Sequence, residues 1–177
     1  MANGKLSVWH LKPQCMKRTL YFLRHAKSSW EIGIEDILRP LNKKGQSDAF
    51  LMANYASEEL IKPDFVGISS AQRTKETAGF FTKAFNIDNL DIEISEALYD
   101  FSGESVLRYL KRLDDSKSKV MLVGHNHAFT ALVNMLGDKP IDHLPTCGLT
   151  VIDFECDYWR SIKKGRTVTV VVPRDFK

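Results

Sequence analysis

The chain has 177 residues, 44% of them hydrophobic and 27% charged, which is enough apolar material for one sizeable core and too little length for two. Ten Gly, six Pro and 10% aromatics, with no compositionally biased stretch, exclude collagen-like, coiled-coil and wholly disordered chains. Twenty-five Lys and Arg against 22 Asp and Glu leave a net charge of +3, which suits an anionic substrate but falls well short of a nucleic-acid footprint. No apolar run approaches the roughly 18 residues of a bilayer-spanning helix, so neither nucleic acid nor membrane is an expected partner.

Residues 1–15, MANGKLSVWHLKPQC, carry charges and a proline and lack the continuous apolar segment of a signal peptide. They read as a poorly ordered N-terminal extension, with Met16 as a natural start and one domain over residues 16–177. Cys15, Cys147 and Cys156 are odd in number and show no CxxC or CxxH spacing, which argues for reduced thiols in a cytoplasm rather than for disulfides or structural zinc.

Leu20-Tyr21-Phe22-Leu23 is a continuous apolar run, as expected of a strand buried on both faces. Asn42 can cap a helix in which Ala49, Met52, Ala53, Ala56 and Leu60 recur at spacings of three and four, and Pro63 ends it. A second strand at Phe65-Val66-Gly67-Ile68 precedes a helix striped by Thr74, Thr77, Ala78, Phe81 and Phe85. A third strand is expected over residues 90–94, and a helix around Val106, Leu107, Leu110 and Leu113. Val120-Met121-Leu122-Val123 reads as a fourth strand, and Phe129, Leu132, Val133 and Leu136 as a helix closed by Gly137. Strands over residues 149–156 and 166–172 can pair as a hairpin. Strands alternating with helices along the whole chain imply an α/β fold, an open and mostly parallel sheet with helices on both faces. Ligands of such sheets gather beyond the carboxyl ends of the strands. Arg24, His25 and Lys27 follow the first strand, Ser69, Ser70 and Arg73 the second, and Gly124, His125 and Asn126 the fourth.

These residues carry a resemblance. LRHAKSSW, followed in order by RPLNKKG, SSAQRTKETA and VGHNH, resembles the histidine phosphatase superfamily and, within it, the small SixA-type phosphohistidine phosphatases. The likeness runs from about Met16 to the final VVPRDF. It implies a phosphoglycerate mutase-like three-layer α/β/α sandwich. It also implies that His25 attacks phosphorus and is transiently phosphorylated, while Arg24, Arg73 and His125 hold the phosphoryl group. A nucleophilic imidazole must be neutral, and Arg24, Arg73 and a cationic His125 nearby would oppose its protonation. The planar fork of arginine suits phosphate oxygens better than lysine does.

Arg39, in RPLN, is a candidate for the anion pocket, as are Lys27, Ser28 and Asn126 for substrate contacts. Larger family members carry an acidic proton donor, for which Asp100 and Glu104 in LYDFSGES are the candidates here, neither in a convincing motif. An imidazole leaving group can depart already protonated, so a weak or missing acid favours a phosphoramidate over a sugar phosphate. With no insertion long enough for a lid, the pocket should be shallow and open, able to accept a phosphohistidine on a partner protein. Small phosphoesters would be slower surrogates, the alternative being a small-molecule phosphomonoesterase of the same superfamily. Ala26, Ser70 and His127 depart from the family's commoner glycine and prolines without removing a functional group.

Two other classes compete. Gly124-His125-Asn126-His127 is a GHxH string of the kind found in metallophosphoesterases, and His143 and Cys147 could join His127. The DxH, GDxxD and GNH elements of a dinuclear site are missing and Pro145 spoils a regular helical face, so no metal and no other cofactor is expected. A catalytically silent phosphoprotein-binding module on the same fold is the other.

Overall fold

The computed structural model describes residues 16–30 and 32–176. The expectations for the N-terminal extension and for Cys15 lie outside them. The apolar run around Phe22 forms β1 (Lys17–Arg24), hydrogen-bonded on both edges and therefore apolar on both faces. Asn42 caps α1 (Lys43–Glu59) by accepting from the Gly45 amide at 2.8 Å, and the stripe from Ala49 to Ala56 is buried. Then come β2 (Phe65–Ser69), α2 (Gln72–Ala84), β3 (Ile92–Ser95) and α3 (Glu104–Leu110). The chain ends with β4 (Lys119–Gly124), α4 (Asn126–Leu136), β5 (Leu149–Glu155) and β6 (Arg166–Val171).

The six strands form one sheet in the order β3-β2-β4-β1-β5-β6. The first four are parallel, and β5 runs antiparallel to both β1 and β6, so the last two strands make the expected hairpin. Two apolar cores flank the sheet. Ala53 and Met52 of α1 and Phe81 of α2 pack on Leu23, Val66 and Met121 on one face. Val106 of α3 and Phe129 and Leu132 of α4 pack on Phe22, Val120 and Leu122 on the other. The fold is thus a three-layer α/β/α sandwich. Phe22 and Phe129 meet edge to face with centroids 5.0 Å apart, a pairing worth about 1 kcal/mol beyond the area it buries.

β3 starts two residues later than the apolar pattern predicts. The Asp88 side chain accepts from the Leu90 amide and opens a turn of 3-10 helix over Asn89–Asp91, which leaves Leu90 exposed. A more consequential departure is Arg18, fully buried although it sits on a strand end. Its guanidinium donates to the carbonyls of Lys117, Asp115 and Asp157 and lies 5.2 Å from the buried Trp159 ring. The polar stretch between β5 and β6 is therefore anchored, by a tryptophan whose neighbours in sequence give no periodic signal. No helix among the described residues is long and apolar enough to cross a membrane.

Candidate active site

The parallel strands β1, β2 and β4 end side by side, Arg24 opposite Gly124 and Ser69 one position past the β2–β4 register. Beyond those ends opens a cleft of about 710 Å³, lined by Arg24, His25, Arg39, Arg73 and His125 among others.

His25 leaves β1 with its amide on the Gly124 carbonyl and its own carbonyl accepting from Cys147. Its Nδ1 lies 2.8 Å from the Ala26 carbonyl oxygen. A carbonyl can only accept, so Nδ1 carries the proton and the Nε2 lone pair is left for chemistry. Burial pushes the ring's pKa down to about 3, against the pull of the Ala26 carbonyl and with help from Arg73, His125 and Arg24. The nitrogen is therefore unprotonated at neutral pH.

The loop after His25 is held by the other motifs. Thr77 of α2 accepts from the Ala26 amide at 2.9 Å, and Glu76 accepts from the Leu41 amide at 2.7 Å. Asn42 donates its amide to the Lys27 carbonyl, and Ser28 and Leu41 form a β-bridge. Gly45 belongs to the same junction, because any Cβ there would collide with the Lys27 carbonyl as α1 abuts the loop. RPLNKKG and TKETA thus act largely as a brace for the residue beside them in space.

Arg73, buried at the start of α2, donates from one terminal nitrogen to the Asp36 carboxylate at 2.9 Å and from the other to the Asp36 carbonyl. Arg24 donates to the Leu144 carbonyl at 2.8 Å, while its buried Nε has no hydrogen-bond partner. The Arg24 guanidinium is held below its ordinary range by burial and by Arg73.

His125 stands 5.4 Å from His25, centroid to centroid. Its protonation differs from the expectation of a cation. Arg73 faces Nδ1 at 3.4 Å and can only donate, so Nε2 carries the proton and donates to the Ser69 hydroxyl at 2.8 Å. Burial, then Arg73, hold the ring down to about 4, and its place as the N-cap of α4 opposes a positive charge as well. His125 is therefore neutral near pH 7, and it adds to the like charge that opposes protonation of His25 only where it is itself charged, whereas the arginines do so throughout. Gly124 makes this turn possible, since a Cβ there would come within 2.6 Å of the Phe129 ring.

The other sequence candidates fall unevenly. Arg39 reaches the cleft wall, but its fork is engaged with the Ser29 carbonyl, Asp36 and the Ser28 hydroxyl, and its face stacks on Trp30 at 3.4 Å. It supports the wall more than it presents donors. Ser28, Lys27, Asn126 and His127 line the cleft, Lys27 and His127 exposed at its rim and Asn126 holding Thr130. Asp100 and Glu104 are not cleft residues. The Asp100 carboxylate accepts from the amides of Ser102, Gly103, Ser105 and Val106, and these bonds outweigh burial and keep it ionised. It is a cap for α3, and Glu104 is an exposed partner of Arg108. Replacing Asp100 with asparagine should lower stability in urea unfolding by about 1 kcal/mol and leave turnover of the folded enzyme within about threefold.

The sequence reading missed Asp36 and Tyr99. The Asp36 carboxylate accepts from Arg73, from Arg39 at 2.8 Å and from the Tyr99 hydroxyl at 2.8 Å. Burial would raise its pKa, but the Tyr99, Arg73 and Arg39 hydrogen bonds overcome this and hold it at about 2. The only local signal was its place three residues before Arg39. Among the described residues no group of three or more His, Cys, Asp or Glu is arranged to hold a metal ion.

Residues 20–106 match the family model of the histidine phosphatase superfamily, branch 1. A SixA protein of Agrobacterium tumefaciens is 30% identical, superposes with a TM-score of 0.75, and is matched over 98% of its own chain and 88% of this one. The chain belongs to the histidine phosphatase superfamily. It is of the SixA type, and it is a phosphatase. A protein histidine phosphatase SixA in complex with tungstate shares the phosphoglycerate mutase-like fold at a TM-score of 0.77 and 20% identity, over 90% of this chain and 99% of that one. An uncharacterised protein of Mycobacterium tuberculosis is 26% identical over an aligned length of 153, and the match covers 81% of this chain and 93% of that protein. The histidine phosphatase motifs read from the sequence are the segments that meet at this cleft.

Proposed function

We propose that this histidine phosphatase removes the phosphoryl group from phosphohistidine displayed on a partner protein, without a metal ion, through a covalent phosphohistidine at His25. The observation that carries the reading is the fixed tautomer of His25, whose Nε2 lone pair shares a cleft with Arg24 and Arg73. Nε2 attacks phosphorus while the guanidiniums take up charge on the equatorial oxygens, with the arriving and departing nitrogens in line. Water then hydrolyses the phosphorylated His25 and releases phosphate. Binding of a dianion brings negative charge beside His125 and favours its protonation, so that it joins the cradle when phosphate is bound.

Two features support a protein-borne phosphohistidine over a small ester. The candidates for an acid to protonate an alkoxide are spoken for, Asp100 by backbone amides and Glu104 at the surface. The cleft is open and carries solvent-exposed aromatic rings, Trp30 and Phe101, on its walls, as suits a residue presented from another surface. The SixA proteins named above carry the same activity in their names.

The test compares phosphate release from a phosphohistidine protein and from a panel of small phosphoesters, each before and after exhaustive chelation. The expected outcome is faster turnover of the phosphohistidine protein, by roughly 100-fold or more in kcat/KM, with no loss on chelation. A sugar phosphate turned over faster, or activity lost with the metal, would overturn the reading.

A further inference from the structure

Asp36 is the one carboxylate among the described residues that line the cleft. A negative charge between two arginines is an odd component for a site that binds a dianion, because it repels the oxygens that the arginines attract. Its geometry is nonetheless tightly specified. Oδ2 accepts from Arg73 at 2.9 Å and from Tyr99 at 2.8 Å, and Oδ1 accepts from Arg39 at 2.8 Å. Three of its roughly four acceptor positions are filled, and Oδ1 keeps one. The side chain is 48% exposed, so that remaining position is reachable from outside. Nor can Asp36 serve as the missing proton donor, since three donors already point at it and keep it ionised.

The arrangement makes sense if the far end of the substrate is positive. A phosphohistidine ring that carries a proton on the nitrogen not bonded to phosphorus is a cation with an N–H donor. We propose that Asp36 is a specificity-determining residue that accepts this N–H and so selects cationic, nitrogen-linked leaving groups. The inference rests on the phosphohistidine reading given above. In the step it assists, His25 Nε2 bonds to phosphorus as the P–N bond breaks, and the electron pair of that bond returns to the ring nitrogen. Because the other nitrogen keeps its proton, the ring departs as neutral imidazole rather than as an imidazolide anion, and no acid need come from the enzyme. Water then cleaves the bond between phosphorus and His25, which yields phosphate and restores the nucleophile. An aryl ester, by contrast, leaves as a phenolate, which Asp36 repels. One carboxylate thus favours one class of leaving group and disfavours the other.

The two effects have opposite signs, and the test reads their ratio. Asp36→Asn, Asp36→Glu and the unsubstituted enzyme are compared by kcat/KM on a phosphohistidine protein and on para-nitrophenyl phosphate, with tungstate inhibition as a gauge of the arginine cradle. The expected result is a fall in the phosphohistidine-to-aryl ratio of roughly tenfold or more for Asp36→Asn, largely restored in Asp36→Glu. Should Asp36→Asn fail to fold, the same ratio is read from Asp36→Ser. If both rates and tungstate affinity drop in parallel at constant ratio, Asp36 only holds Arg73 and Arg39, and the inference is wrong. If the unsubstituted enzyme cleaves the aryl ester but no phosphohistidine, the underlying functional reading fails instead, and that outcome is visible without any variant.

Discussion

Replacing His25 with alanine is expected to lower phosphate release by on the order of 10⁴-fold and to abolish the acid-labile phosphate that can be trapped on the unsubstituted protein. The size follows from what is removed. The arginines and His125 stay in place and still bind an anion, but no other neutral nitrogen in the cleft has a carbonyl fixing its free lone pair as Ala26 does for His25. The variant should bind tungstate with little loss, since its cradle is intact and the His25 imidazole no longer competes for the space. That pairing of lost turnover with kept anion binding also separates an enzyme from a phosphoprotein-binding module. A module would release no phosphate in either form. Residual activity within about tenfold of the starting protein would mean that water, not His25, attacks phosphorus.

Acid should destabilise the folded protein earlier than its carboxylates alone would predict. Above about pH 6.5, His25 and His125 are neutral in both the folded and the unfolded chain and make no difference. Below that value the unfolded chain takes up protons that the buried site refuses. Stability is therefore lost progressively as the pH falls toward the folded values of about 3 for His25 and about 4 for His125. Two rings facing Arg24 and Arg73 make this a loss of several kcal/mol in the limit, and Asp36 and Asp100 near His125 moderate it. The salt-bridged and amide-bonded carboxylates Asp36, Asp64 and Asp100 are lowered too, so their contribution goes only in stronger acid. Urea midpoints measured from about pH 7 to about pH 4.5 should fall, and the fall should shrink in a His25→Ala, His125→Ala double variant. A flat midpoint over that range would mean that the two rings protonate freely in the folded protein. By the same reasoning, the acid limb of kcat/KM should lie well below the ordinary histidine range.

Much of the fold was legible because its causes are local. The unbroken apolar run at Leu20-Tyr21-Phe22-Leu23 could only be satisfied by a strand covered on both faces, and Asn42 ahead of the Ala49–Ala56 stripe marked a helix start that the side-chain cap realises. Where local polar chemistry overrode hydrophobic pattern, as when Asp88 turned the chain at Leu90, the pattern misplaced the strand's beginning. The buried Arg18 was beyond reach, because its partners are three carbonyls some 97 to 139 residues away.

The order of motifs along the chain was enough to bring Arg24, His25, Arg73 and His125 together as candidates, since each follows a strand end and a parallel sheet gathers its strand ends on one rim. What that order does not contain is the charge state and company of each group once gathered. Asp36 meets Arg73 across 37 residues and Tyr99 across 63, and His125 meets Ser69 across 56. These contacts make His125 a neutral ring and Asp36 the carboxylate of the cleft wall, while Asp100 is taken up by the amides at the start of α3. Spacing along the backbone determines which residues arrive at the rim. Protonation and hydrogen-bond partners depend on burial and on neighbours distant in sequence, and those come into being only when the chain closes on itself.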